Sequence, residues 1–286
     1  MKKASELIDL LDLEQIEENI FRGQNYKAPW GRVFGGQVMA QAAHAARRTV
    51  PEDRLLHSLH GYFILGGDIN VPIIFQVDRI RDGRSFTTRR VVAIQKGRAI
   101  FNLSASFQIE EKGFEHQIAM PNVPSPEALV TDSEWAEKFK KELPDMAKRY
   151  QVDRPIELRP VEKFDPINIR NQRPFRHIWL RVNGTMPDDK RLHQEVLAYA
   201  SDYNLMGTSL LPHRTKFDRR EMQMASLDHA MWFHHDFRVD DWLLYAMDSP
   251  SASNSRGFNR GNFFSQDGKL VASTVQEGLI RHRPKK

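Results

Sequence analysis

An internal repeat constrains this chain more than any other feature. Ser58-Leu59-His60 with Tyr62-Phe63 recurs as Ser226-Leu227-Asp228-His229 with Trp232-Phe233, and the turn Gln95-Lys96-Gly97 recurs as Gln266-Asp267-Gly268. The strands after those turns end in Ser104-Ala105-Ser106-Phe107-Gln108 and Ala272-Ser273-Thr274-Val275-Gln276. Ser58 to Ser226 and Gln108 to Gln276 both span 168 residues, and the turns lie 171 apart, which a duplication with small indels explains. Each of two copies must then bury its own apolar stripe, so 286 residues divide into two domain-sized units.

Each copy places a helix before its strands. Gly36 to Thr49, rich in Ala and Gln and free of Pro, predicts a helix opening from the Gly35-Gly36 pair. In the second copy Asp188 and Asp189 form an acidic first turn, and Leu192, Val196, Tyr199, Ala200 and Tyr203 share one face, with Asp202 on its flank. Alternating segments follow at Ile73 to Ile80, Thr87 to Gln95, Arg98 to Gln108, Asn259 to Ser265 and Lys269 to Gln276, joined by Asp-Gly or Lys-Gly turns. A helix followed by an antiparallel meander, twice over, is an α+β pattern. Residues 1–112 form the first copy, 113–155 a connector with a polar surface helix over Ser133 to Arg149, and 156–286 the second copy. Pro155 to Glu162 and His177 to Asn183 are its opening strands. An amphipathic helix with a Ser cap is predicted over Ser5 to Leu13.

The formal charge is +5, with basic runs such as Asp78 to Arg84 and Arg214 to Arg220 interleaved with acids; this is the pattern of solvated loops, and no nucleic-acid motif accompanies it. There is no Cys, which excludes disulfides, Cys-ligated metals and a thiol nucleophile. No run approaches the ~18 apolar residues of a membrane-spanning helix. Glu6, Asp9 and Asp12 interrupt what would be a signal peptide's apolar stretch, and the basic tail Arg281 to Lys286 matches no address signal, so a cytoplasmic location is expected.

Several chemistries lack their hardware. There is no G-x-S-x-G elbow, H-E-x-x-H or G-x-G-x-x-G, and Gly31 to Gly36 leads into Gln37-Val38 where a P-loop needs Lys-Ser/Thr. His229 and His235 share a strand face, but at ~3.3 Å per residue they stand about 20 Å apart, too far for one ion. Asp228, His229, His234 and His235 therefore read as hydrogen-bonded structural residues, and neither metal nor cofactor is expected.

The runs Val33-Phe34-Gly35-Gly36-Gln37, Met231-Trp232-Phe233-His234, Ser251-Ala252-Ser253 with Arg256-Gly257-Phe258, and above all Gln266 to Gly278 (QDGKLVASTVQEG) resemble the acyl-coenzyme A thioesterase II family, from about Leu7 to Arg281. The resemblance implies a double hotdog, two tandem copies of a long helix wrapped by an antiparallel sheet, associating as a dimer or tetramer. It implies hydrolysis of medium- to long-chain fatty acyl-CoA by water, with Asp202 as base and Ser226 and Gln276 orienting the water. Several relatives carry Thr at the position of Ser226. A thioester carbonyl is electrophilic enough for direct attack by water once a carboxylate takes its proton. Backbone N–H groups of Gly35 and Gly36 at the helix start are candidates for stabilising the oxyanion, and Arg89, Arg90 and Arg260 for meeting the coenzyme's phosphates.

Within the repeat, Ser58 and Gln108 stand for Ser226 and Gln276. Matching Ala40 and Ala42 to Ala198 and Ala200 sets His44 opposite Asp202, or Ala45 with a one-residue slip. The first copy thus lacks the carboxylate, which predicts one active site per chain, with the first half structural and lining the acyl tunnel. Two readings compete: a hotdog dehydratase using a His near an Asp, and a non-catalytic acyl-CoA binding protein.

Overall fold

The computed structural model describes residues 1–28, 31–163 and 165–283; the tail residues 284–286 lie outside them. The first half runs α1 (Ala4–Leu11), β1 (Glu14–Glu17), β2 (Ile20–Gly23), α2 (Gly35–Arg47), β3 (Arg54–Phe63), β4 (Ile73–Asp82), β5 (Phe86–Gln95) and β6 (Arg98–Ile109). The connector carries α3 (Asp132–Glu137) and α4 (Pro144–Tyr150). The second half runs β7 (Ile156–Pro160), β8 (Phe175–Val182), α5 (Lys190–Ser201), β9 (Met222–Ser226), β10 (Asp228–Phe233), β11 (Leu243–Ser253), β12 (Arg256–Ser265) and β13 (Leu270–His282).

All strands join one antiparallel sheet ordered β1-β2-β4-β5-β6-β3-β10-β13-β12-β11-β8-β7, with β9 pairing β13. Read inward from either edge the order is the same, so the two halves are related by a pseudo-two-fold axis between β3 and β10. This is the double hotdog. Both central helices are buried. In α2 every residue from Gly36 to Ala46 is buried, and its alanines let it lie directly against α5. The helices run antiparallel, since Gly36 meets Asp202 at one end and His44 meets Glu195 at the other.

Several expectations are corrected. The first helix starts at Ala4, and the Glu6 carboxylate, reaching back to the N–H groups of Lys2 and Lys3, caps it in place of Ser5. The connector helix is two helices: α3 stops at Glu137, a turn follows, and Pro144 opens the second. Its polar face is real, but Trp135, Ala136 and Ala147 are buried. Helix α5 stops at Ser201, and Asp202 is its C-terminal cap.

The repeat register also shifts. In the first half Leu56 pairs with Phe107 and Ser58 with Ser106 around a bulge at His57. In the second, Ser226 pairs with Gly278 and Ala230 with Val275 around an irregularity at Leu227. Backbone pairing therefore levels Ser226 with Leu56, Gln276 with Ala105 and Gln108 with Leu279. Small-polar strands look alike when slid by two or three residues, whereas inter-strand hydrogen bonds do not tolerate the slide. Ser58 and Gln108 are not the counterparts of Ser226 and Gln276.

Candidate active site

Asp202 sits where α5 ends against the sheet. The Tyr245 hydroxyl donates to the Ser201 carbonyl at 2.9 Å, tying down the last turn, and Asn204 turns the chain away with φ of 64°. Asp202 Oδ2 accepts the Gly36 N–H from the start of α2 at 3.0 Å, and Oδ1 accepts Gln276 Nε2 from the middle of β13 at 2.8 Å. The carboxylate is thus held by one group from each half. Withdrawal from water raises its pKa above the ordinary carboxylate value, and the Gln276 and Gly36 hydrogen bonds only partly offset this.

The two glycines are required by close approach. A Cβ on Gly35 would stand 2.7 Å from Asp202 Oδ2 and 3.0 Å from Phe63, and one on Gly36 would overlap the Tyr199 carbonyl oxygen. Of the two expected oxyanion donors, the Gly36 N–H is already committed to Asp202. The Gly35 N–H, in the first helical turn, has no hydrogen bond among the described residues.

Gln276 is fully buried, and its Oε1 has no hydrogen-bond partner among the described residues. Its Nε2 also lies 3.1 Å from His229 Nδ1. Across the ring, His229 Nε2 lies 3.0 Å from Ser201 Oγ and 2.8 Å from Thr274 Oγ1. Burial alone pushes the His229 pKa down to about 3. Strand alternation puts His229, Met231 and Phe233 on the buried face of β10, so parity places His229 inside, while the contact with Gln276 has no sequence signature. Asp228 accepts the Glu277 N–H at 2.7 Å and holds the irregularity open.

Ser226 ends β9 opposite Gly278, which shares a sheet face with Gln276. Its hydroxyl makes no hydrogen bond to Asp202 or Gln276, so the structure brings two of the three expected side chains into contact and leaves the third one step along the strand. Phe34 packs on Tyr199 and Tyr203 at ring distances of 5.1 and 4.8 Å, giving the site an aromatic wall. A narrow cleft lined by Leu158, Phe175 and Leu211 together with Glu162, Lys163 and Arg176 lies beside Asn204.

The arginines expected at phosphates are engaged elsewhere. Arg89 is 1% exposed and donates to Thr49, Arg81, Thr88 and Asp82. Arg90 and Arg260 are exposed but pair with Asp78 and Asp248. Among the described residues no group of three or more His, Asp or Glu could hold a metal ion, and no helix is long and apolar enough to cross a membrane.

At the mirror-related end of the helix pair the chemistry is absent. His44 is bonded to buried Glu195 at 2.9 Å, and the Gln194 side chain binds both the N–H and the carbonyl of Leu56, the residue level with Ser226. Ala105 stands where Gln276 does in the other half.

The sequence profile described as acyl-CoA thioesterase matches residues 147–279, and that of the acyl-CoA thioesterase N-terminal domain matches residues 26–108. The chain is 43% identical to acyl-CoA thioesterase 2 of Haemophilus influenzae over 96% of both proteins. It superimposes on the crystal structure of an acyl-CoA thioesterase II from Mycobacterium marinum with a TM-score of 0.80 and 41% identity, covering 96% of this chain and 98% of that one. A hot dog fold protein of unknown function from Alicyclobacillus acidocaldarius matches with a TM-score of 0.77 at 20% identity over 98% of this chain and 99% of that one, a likeness of fold alone. Matched along both repeats and over nearly its whole length, the chain belongs to the acyl-CoA thioesterase family.

Proposed function

We propose that the protein hydrolyses medium- to long-chain fatty acyl-CoA to the free acid and CoA at a single site per chain. The observation that carries this reading is the convergence of Asp202, Gln276 and the start of α2 in one partly enclosed junction. Asp202 takes a proton from water as the water oxygen bonds to the thioester carbon. Gln276 and Ser226, on the same sheet face, hold that water. The Gly35 N–H meets the developing oxyanion. Collapse of the tetrahedral adduct breaks the C–S bond, and the proton held by Asp202 passes to the departing thiolate.

The first half has His44 for the carboxylate, Ala105 for the amide and Leu56 for the hydroxyl, which supports one site per chain. A dehydratase would need an imidazole that exchanges protons near neutrality. His229 has both ring nitrogens engaged and a pKa of about 3, which does not support that reading.

Thiol release from a series of acyl-CoA chain lengths, followed with a thiol-reactive dye, tests the proposal; the protein has no Cys to contribute signal. Asp202→Asn should lower kcat by about 10²–10⁴, the range for loss of a general base. Turnover indifferent to Asp202 moves the site elsewhere, and binding without thiol release at any length would favour the non-catalytic alternative.

A further inference from the structure

The hydrogen bonds behind Gln276 have a determined direction. A Ser or Thr hydroxyl carries one proton. Ser201 Oγ donates its proton to the Ala198 carbonyl at 2.8 Å, and Thr274 Oγ1 donates its own to the Ala230 carbonyl at 2.8 Å. Toward His229 Nε2 both hydroxyls can only accept, so the imidazole hydrogen is on Nε2 and Nδ1 presents a lone pair. The atom of Gln276 at 3.1 Å from Nδ1 must then be its NH2 group. Turning the amide over would set Oε1 against two acceptors, Nδ1 and the Asp202 carboxylate. With the amide held this way, each N–H of Gln276 has a partner and the buried Oε1 has none among the described residues.

We infer that His229 is a positioning residue for the hydrolysis proposed above: by holding the NH2 of Gln276 toward Asp202, it presents Gln276 Oε1 as the acceptor for the second hydrogen of the attacking water. The water then gives one hydrogen to Asp202 and the other to Oε1, leaving a lone pair directed at the thioester carbon. His229 touches no reacting atom in this arrangement, and its influence passes through the amide. The inference rests on the hydrolytic reading.

The groups facing Asp202 are Gln276 from β13, the Gly36 N–H from α2, and the phenols of Tyr199, Tyr203 and Tyr245. Burial raises the pKa of all three phenols, so none titrates on the acid limb of the rate profile. His229→Leu leaves one buried N–H of Gln276 without an acceptor, and pairing it again draws the amide out of its seat against Asp202. The variant should lower kcat about 10–100-fold, the scale of a misplaced reactant, with KM within about threefold. The acid limb should move up by about one pH unit as Asp202 loses its amide donor. His229→Asn, whose Oδ1 can replace Nδ1 as acceptor, should restore most of the rate and the wild-type limb. An unmoved acid limb in a folded His229→Leu enzyme overturns the inference.

Ring-nitrogen NMR of ¹⁵N-histidine-labelled wild-type protein needs no functional variant; the His229 signal is assigned by its absence from His229→Asn. The expected result is the Nε2–H tautomer with no titration between pH 5 and 8, and an Nδ1–H tautomer or a titrating ring overturns the assignment. Failure of the wild type to release thiol would sink the hydrolytic reading and the positioning role together, while the tautomer alone still decides the amide orientation.

Discussion

Gly35→Ala is a sharp perturbation of the junction between the two halves. The added methyl would lie 2.7 Å from Asp202 Oδ2, and an ordinary carbon–oxygen contact requires a further ~0.7 Å. The carboxylate is the free end of a short side chain and can swing by that amount, but its 3.0 Å bond from the Gly36 N–H then stretches beyond hydrogen-bonding range. A hydrogen bond to a charged group contributes roughly 1.5–3 kcal/mol. If that loss falls on the transition state, kcat drops about 10–150-fold. Stability should change less than activity, because both the Asp202 carboxylate and the Phe63 ring that meet the methyl are side-chain ends that can give. Gly36→Ala is the control: its methyl would strike the Tyr199 backbone carbonyl, which cannot swing aside, so the helices must separate and Tm should fall together with activity. Thiol-release kinetics and thermal melts on both variants separate the effects. A Gly35→Ala enzyme with wild-type kcat, or one that loses activity only in proportion to its folded fraction, would refute the reasoning.

Burial raises the Asp202 pKa in the folded state, so its contribution to stability is complete below the unfolded carboxylate value and is lost as pH rises through the folded one. The Tm of Asp202→Asn relative to wild type should therefore increase with pH, while wild-type kcat/KM falls off on the acid side above the ordinary carboxylate range; parallel melts and rate profiles from pH 4 to 9 check both. Arg89→Lys removes the guanidinium fork from a 1%-exposed site and should cost roughly 2–4 kcal/mol without changing KM for acyl-CoA, whereas a selective rise in KM would return Arg89 to the substrate. His44→Leu takes the hydrogen-bond partner from buried Glu195 Oε2 but leaves Arg47 3.4 Å from Oε1, so it should cost roughly 1–3 kcal/mol, with kcat retained once the protein is folded. A chemical denaturation series reads the cost.

Asp202 and Gln276 were named as candidate base and amide through the likeness of the QDGKLVASTVQEG run and the Ala200 to Asn204 context to the acyl-CoA thioesterase II family, and the fold brings these two side chains into contact. The two helices and most strands were legible because apolar periodicity is local, and buried Ala-rich or alternating stretches announce themselves within a dozen residues. The helix ends were less so, since Asp202 becomes a cap only because Tyr245, 43 residues further on, holds the Ser201 carbonyl.

The order of residues alone carried the duplication, the α+β element order and the asymmetry between a half with Asp202 and a half with His44. Tertiary structure alone decided which residues of the two copies are level. Sliding one copy against the other changes few side-chain types but misaligns the bulge of the β3–β6 ladder with its counterpart between β9, β10 and β13, and sequence similarity cannot sense that energy. It also decided that Asp202 is held by Gly36, 166 residues away, and that Gln276 is backed by His229. Those contacts exist because two backbones approach through paired glycines and a strand buries its polar face, and the donors and acceptors so enclosed must find partners across the fold.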